Sequence, residues 1–165
     1  MSKVLIIAAS NGQNLALAKK LQDMLGDELQ TEVLDLVELE LPLYSPLEEK
    51  KGIPNKASEL KQKLLKANAM IFTAPEYNGS LPPTLNNFIA WISRVGKDWR
   101  ECFNGKPAAI ASHSGSGGVN VLSAMRIQLS YLGMNVLGRQ IQTNSQKEFN
   151  PESAQIILKQ LKGLL

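Results

Sequence analysis

The sequence predicts a doubly wound α/β fold, in which a five-stranded parallel sheet of strand order 2-1-3-4-5 carries helices on both faces. Five short apolar runs alternate along the chain with amphipathic stretches whose apolar residues recur at helical spacing. The runs are continuously apolar, as expected for strands that are buried on both faces of a parallel sheet. The chain of 165 residues shows no repeat or linker, so we expect a single domain over residues 1–165.

Each element follows from a local pattern. The five apolar runs predict strands at residues 4–9, 31–36, 69–74, 107–112 and 134–137. Apolar stripes at helical spacing predict helices around residues 17–25, 53–67, 83–93, 122–132 and 157–164. Asn150 and Pro151 supply an N-cap and a first-turn proline for the last helix, whose Ile157, Leu161 and Leu164 are expected to face inward.

Charge and cysteine content exclude several function classes. The formal charge of +3 comes from Lys and Arg spread along the chain, so no nucleic-acid partner is predicted. Cys102 is the only cysteine, which leaves no intrachain disulfide and no Cys/His metal site. We find no signal peptide and no stretch long enough to cross a bilayer, so we expect a cytoplasmic protein without a membrane partner.

The first loop with ligand-binding character follows strand 1. In this fold, ligands bind at the carboxyl ends of the strands where the winding direction reverses, which directs attention to the loops after strands 1, 3 and 4. Ser10, Asn11, Gln13 and Asn14 lie in the first of these loops and open into a helix. Backbone N–H groups and the helix dipole make such a turn an anion site suited to a terminal phosphate. An ordinary surface turn with an asparagine N-cap is the alternative.

The second loop, after strand 3, begins with Pro75, Glu76, Tyr77, Asn78 and Gly79. Proline stiffens the exit from the strand, and the Asn-Gly pair permits positive φ. The exposed amides can then meet the polar edge of a planar heterocycle such as a flavin ring. Composition alone favours the alternative, a common Pro/Asn/Gly turn.

The third loop, after strand 4, contains Ser112, His113, Ser114 and Gly117. Its glycines would let the backbone approach a flat ligand closely. His113 is the only histidine, but hydride transfer to a flavin needs no protein proton donor, so no catalytic residue is assigned.

Three motifs in these regions resemble the flavodoxin-like NAD(P)H-dependent FMN reductase family, which includes bacterial quinone, chromate and azo-dye reductases. The stretch from Pro75 to Gly79 continues through Pro82, Leu85, Asn87, Trp91 and Ser93 in the family pattern P-E-Y-N-G-x-x-P-x-x-L-K-N-x-x-D-W-x-S. The second likeness is to S-x-S-x-G-x-x-G-G, at Ser112, Ser114 and the pair Gly117-Gly118. The third is to L-R-x-x-L-x-x-L-G, at Met125-Arg126 through Gly133.

The resemblance implies a flavodoxin-like fold that binds FMN. By that likeness, Ser10 and Asn14 would hold the phosphate, Pro75 to Asn78 would line the ring edge, and Ser112 to Ser114 would lie beside it. Electrons would pass from NADPH or NADH through FMN to a flavin, quinone, azo compound or similar small acceptor. The family also implies a homodimer or homotetramer.

Two other functions remain open for this chain. The family's first loop usually reads G-S-x-R, whereas this chain has no arginine there, which leaves a regulator or scaffold with weakened FMN binding as one alternative. The other alternative is a non-enzymatic electron carrier of the flavodoxin type, against which the positive net charge counts. Asn86 and Ala90 also stand where the family usually has Lys and Asp.

Overall fold

The computed structural model describes residues 1–165 and has one parallel sheet of strand order β2-β1-β3-β4-β5. Its strands are β1 (Lys3–Ala8), β2 (Gln30–Asp35), β3 (Ala69–Thr73), β4 (Pro107–His113), β5 (Asn135–Val136) and β6 (Ile141–Thr143). Every neighbouring pair is parallel, and β6 also pairs with β4. The predicted fold class and order 2-1-3-4-5 are confirmed.

Six helices surround the sheet. They are α1 (Gln13–Leu25), α2 (Pro46–Glu49), α3 (Asn55–Lys66), α4 (Pro83–Ile92), α5 (Val119–Tyr131) and α6 (Pro151–Lys162). The short α2 lies in a stretch predicted to be irregular, where the Ser45 hydroxyl accepts a hydrogen bond from the Glu48 N–H. The Asn150 side chain caps α6 as expected, by accepting from the Ser153 N–H. None of the helices combines the length and the apolar character that a bilayer crossing requires.

The edge strand next to β4 differs from the prediction of one strand at residues 134–137. Only Asn135–Val136 pairs with the start of β4, and the separate β6 pairs with its end, from Ala111 to His113. The break between them is held by the Arg126 guanidinium, which donates to the carbonyl oxygens of Leu137 and Gly138 at 2.7 and 3.3 Å. Because β6 reaches the end of β4, it supports the third loop directly.

Two separate hydrophobic cores cover the faces of the sheet. Along β1, Leu5 and Ile7 face the helices α3, α4 and α5, in a cluster of 25 buried residues. Val4 and Ile6 face α1 and α6, in a cluster of 16. Leu164 was expected to face inward, but α6 ends at Lys162 and the Leu164 side chain is exposed. The sheet is thus buried on both faces, as the continuous apolar runs predict.

The winding direction reverses at β1, which pairs with β2 on one side and β3 on the other. The carboxyl ends of β1, β3 and β4 therefore lie side by side along one edge of the sheet. The three loops singled out from the sequence leave from these ends and are neighbours in space.

Candidate functional site

The first loop presents an unusual run of free backbone donors. The six N–H groups of residues 10–15 donate no hydrogen bond within the chain. Gly12 is the N-cap of α1 and offers no side-chain cap, and the side chains of Ser10, Asn11 and Gln13 have no hydrogen-bond partner in the chain. Converging N–H groups at the positive end of a helix dipole form a site for an anion.

The side chain of Asn14, a residue that the resemblance assigns to the phosphate, makes its hydrogen bonds within the chain. The side chain is buried, with its Oδ1 accepting from the His113 N–H and its Nδ2 donating to the His113 carbonyl, both at 2.9 Å. The Asn14 carbonyl accepts from Thr73 Oγ1, at the end of β3, at 2.8 Å. Asn14 therefore ties the first loop to the ends of β3 and β4, and its backbone N–H remains free.

The second loop is a tight hairpin turn. Tyr77 and Ser80 exchange backbone hydrogen bonds of 3.1 and 3.0 Å, and Asn78 and Gly79 between them have φ of 51° and 72°. Positive φ at both central positions defines a type I′ turn, as the Asn-Gly pair predicts. The N–H groups of Asn78 and Gly79 have no partner in the chain, and Tyr77 is 49% exposed. With Pro75 buried behind it, the turn offers donors to the edge of a flat ligand.

The Glu76 side chain joins the second loop to the third. Its Oε1 accepts from Ser116 Oγ at 2.9 Å and from Asn120 Nδ2 at 3.2 Å, and its Oε2 accepts from the N–H groups of Asn120 and Val121 at 2.9 and 3.2 Å. The Glu76 N–H donates to Ser114 Oγ at 2.5 Å. The carboxylate thus takes the free donors at the start of α5, the position where a helix favours negative charge.

These contacts shift the acidity of Glu76. Burial raises the pKa of the carboxyl, but the four hydrogen bonds that the carboxylate accepts outweigh burial and hold the pKa below its ordinary value of 4.5. The ionised Glu76 carboxylate therefore makes the hydrogen bonds that join the two loops.

The third loop packs tightly on itself. Gly118 has φ of 72°, and a Cβ there would lie 2.5 Å from the Oγ of the buried Ser112, so the position requires glycine. The Ser112 and Ser114 hydroxyls lie 3.2 Å apart. Gly117 also has positive φ, and its carbonyl accepts from the Gln142 amide.

Two residues of β6 that sequence reasoning missed hold this loop in place. The Thr143 carbonyl accepts from the Ser114 N–H at 3.1 Å, and Thr143 Oγ1 lies 3.0 Å from His113 Nδ1. The Gln142 amide donates a hydrogen bond to the Gly117 carbonyl. No sequence signal marked either residue, because β6 is only three residues long and has a single apolar residue, Ile141, followed by two polar ones.

All thirteen candidate residues lie on these three adjacent loops or at the ends of the helix and strand that flank them. They are Ser10, Asn11, Gln13, Asn14, Pro75, Glu76, Tyr77, Asn78, Gly79, Ser112, His113, Ser114 and Gly117. The side chains of Asn14 and Glu76 are occupied by other loops, and the side chains of Ser10, Asn11 and Gln13 are free. The chain has no cluster of His, Cys, Asp or Glu that could hold a metal ion. An anion site beside turns with free amide donors can hold a phosphorylated planar heterocycle such as FMN.

Lowering the pH should weaken the hydrogen bonds by which the Glu76 carboxylate joins the second loop to the third. The pKa of this carboxyl is lower in the folded chain than in the unfolded chain. Such a carboxyl stabilises the fold at any pH above its unfolded-state pKa, and the stabilisation is lost as the pH falls through its folded-state pKa. We expect thermal stability to fall more steeply below pH 4.5 in the wild-type protein than in Glu76→Gln, which also melts lower near neutral pH. Glu59→Gln is the matched control, since Glu59 is exposed and forms no hydrogen bond or ion pair. Circular dichroism melts across pH measure this, and parallel curves for wild type and Glu76→Gln would contradict the assignment.

Comparison with known proteins identifies relatives of this chain. Residues 2–148 match the family model of NADPH-dependent FMN reductases. An uncharacterized protein of Mycoplasma pneumoniae is 30% identical over 141 residues, covering 83% of this chain and 84% of that one. A quinone reductase of Pseudomonas putida is 29% identical over 81% of this chain and 74% of its own length.

A solved structure supports the fold. The flavoenzyme NAD(P)H:(acceptor) oxidoreductase FerB of Paracoccus denitrificans superposes with a TM-score of 0.79 and 21% identity, covering 99% of this chain and 95% of that one. For several other curated relatives the matched stretch covers only 39% to 63% of their length. The family model spans most of the chain and includes all three loops, so the chain belongs to the NADPH-dependent FMN reductase family.

Proposed function

We propose that this protein is an FMN-dependent oxidoreductase that passes electrons from NADPH or NADH to a quinone, flavin, azo compound or similar small acceptor. The run of six free N–H groups at residues 10–15 is the observation that carries the proposal. It provides a cradle for the FMN phosphate, with the free side chains of Ser10, Asn11 and Gln13 as further donors. A quinone reductase among the relatives supports the acceptor class.

The remaining loops provide the ring contacts. The free N–H groups of Asn78 and Gly79 can donate to the polar edge of the flavin, and Tyr77 covers it. Ser112 and Ser114 shape the opposite wall, with His113 held beside them by Asn14 and Thr143. We place none of these groups in a proton-transfer role.

FMN supplies the two-electron chemistry when bound, and the protein contributes binding and orientation. Asn14 and Glu76 act on the ligand through the loops that they hold, so we assign both side chains a positioning role. No basic side chain was found in the first loop, so the phosphate is held by backbone dipoles rather than by an ion pair. We place the protein in the cytoplasm, where a free thiol such as that of the buried Cys102 stays reduced.

Cofactor affinity and turnover test the proposal together. We expect FMN to bind at micromolar concentration or tighter, and riboflavin to bind about ten- to a hundredfold more weakly because it lacks the phosphate. Fluorescence quenching measures both affinities, and NAD(P)H oxidation in the presence of a quinone measures turnover. Tight FMN binding without such turnover would instead support the electron carrier. Failure to bind FMN would support the regulator or scaffold.

We further propose a homodimer formed through α5. Ile127 and Tyr131 lie one helical turn apart on its surface and are 72% and 74% exposed, and Val119, about two turns before Ile127, is 57% exposed. A stripe of apolar side chains exposed on one helix is typical of a protein–protein interface. A second pair of exposed side chains, Leu43 and Leu47, offers a further contact through which a homotetramer could form.

Charge placed in this stripe should separate the subunits. Ile127→Glu is expected to sediment as a monomer at concentrations where the wild-type protein sediments as a dimer, and as a dimer where the wild-type protein sediments as a tetramer, because the contact at Leu43 and Leu47 remains. Ile156→Glu is the matched control, because Ile156 is also an exposed isoleucine but lies on α6. Sedimentation velocity measures the mass; a monomeric wild-type protein, or an Ile127→Glu variant that keeps the wild-type mass, would refute the proposed interface.

A further inference from the structure

The pair Asn-Gly occurs at three places in this chain: Asn11-Gly12, Asn78-Gly79 and Asn104-Gly105. An asparagine followed by glycine is the most prone to deamidation, because glycine has no side chain to hinder the attack of its backbone nitrogen on the asparagine amide. The first two pairs lie in the first and second loops of the proposed flavin site. The third pair precedes β4 and lies at the amino ends of the strands, at the opposite edge of the sheet.

Deamidation needs no reactant other than water. The backbone nitrogen of the glycine loses its proton to the solvent and attacks the side-chain amide carbon of the asparagine. A new C–N bond forms, the C–N bond of the side-chain amide breaks, and ammonia leaves. Water then opens the resulting cyclic imide to aspartate or isoaspartate. The reaction therefore requires a glycine N–H that is free and a backbone that can bring the two groups together.

Two of the three pairs are restrained against this reaction. The Gly105 N–H donates to the Gly133 carbonyl at 2.8 Å, so the attacking nitrogen of the third pair is engaged. The Gly79 N–H is free, but the backbone hydrogen bonds of 3.1 and 3.0 Å between Tyr77 and Ser80 close the type I′ turn around it. The backbone of the second pair is therefore fixed in the conformation of the turn.

The pair Asn11-Gly12 has neither restraint. The Gly12 N–H donates no hydrogen bond, and neither the backbone nor the side chain of Asn11 forms one within the chain. Both residues are exposed, and no atom lies within 4 Å of the position that a Cβ on Gly12 would take. Water and the attacking nitrogen can therefore both reach the Asn11 amide.

Deamidation at this place would put a carboxylate into the proposed phosphate site. Residue 11 belongs to the run of free N–H groups at residues 10–15. A negative charge there repels a phosphate, and isoaspartate also adds a methylene group to the main chain of the loop. Conversely, a phosphate that accepts a hydrogen bond from the Gly12 N–H engages the nitrogen that has to attack.

We propose that Asn11 is a site of spontaneous deamidation that is shielded when FMN is bound, so that protein left without its cofactor loses FMN affinity irreversibly. The shielding rests on the proposed function, because it requires the FMN phosphate at residues 10–15. The reactivity of Asn11 rests on the structure of the first loop alone.

Peptide mass spectrometry reads the modification without any turnover. Protein freed of FMN and protein with FMN at about ten times Kd are kept in the same mildly alkaline buffer and digested with trypsin. In the FMN-free sample, we expect the peptide of residues 4–19 to gain about 1 Da, the mass difference between an amide and a carboxyl group, at residue 11. With FMN this gain should be about tenfold slower, because only the unliganded fraction reacts. The peptide of residues 101–126 contains Asn104 and should keep its mass in both samples.

Two variants at residue 11 test the chemistry and its consequence. Asn11→Gln moves the amide one methylene group away from the Gly12 nitrogen and should abolish the mass gain. Asn11→Asp reproduces one product, and we expect it to bind FMN about ten- to a hundredfold more weakly while riboflavin affinity changes by less than about twofold. Asn104→Asp adds the same charge at the opposite edge of the sheet and should leave FMN affinity unchanged.

Three results would overturn the inference. They are equal rates of deamidation at residues 11 and 104 in the FMN-free protein, a rate at residue 11 that bound FMN leaves unchanged, and an Asn11→Asp variant that binds FMN as tightly as the wild type. FMN binding is read separately from absorbance. Failure to bind FMN counts against the proposed function, whereas the FMN-free sample still decides whether Asn11 is the reactive asparagine.

Discussion

The two hydrogen bonds between the Asn14 amide and the backbone of His113 hold the site together. They join positions 99 residues apart, and the Asn14 carbonyl adds the bond from Thr73. One residue thus fixes the exits of β1, β3 and β4 relative to one another. Because its amide is buried, losing the side chain would leave the His113 N–H and carbonyl without partners, a cost of about 1–3 kcal/mol for each unsatisfied group.

The position of the Asn14 side chain also explains why the first N–H groups of α1 have no partner in the chain. An asparagine at the start of a helix often caps the first turn, but here the side chain points to His113 and Gly12 provides no side-chain cap. The first N–H groups of α1 therefore remain free. At the start of α5 the situation is reversed, since the Glu76 carboxylate occupies the free donors there. The two helices thus differ: the first N–H groups of α1 have no partner in the chain, whereas the Glu76 carboxylate accepts from those of Asn120 and Val121 in α5.

The sequence predicts most of the fold, because continuous apolar runs and helical stripes are local signals that depend on burial. It does not predict the division of the edge strand into β5 and β6, which depends on the contact of Arg126 with carbonyl groups 11 and 12 positions away. The loops of the site are predicted from their position in the fold and from the Asn-Gly turn. The roles of Asn14 and Glu76 are not, since their partners lie 38 to 99 positions away along the chain.

In the proposed site, backbone N–H groups of the first loop hold the FMN phosphate, and amide NMR detects this contact. On titration with FMN, we expect large shifts of the backbone amide resonances of residues 10–15. Riboflavin should shift the amides of Asn78 and Gly79 but leave residues 10–15 nearly unchanged. Equal shifts of residues 10–15 with both ligands, or no shift there with FMN, would show that the first loop does not hold the phosphate.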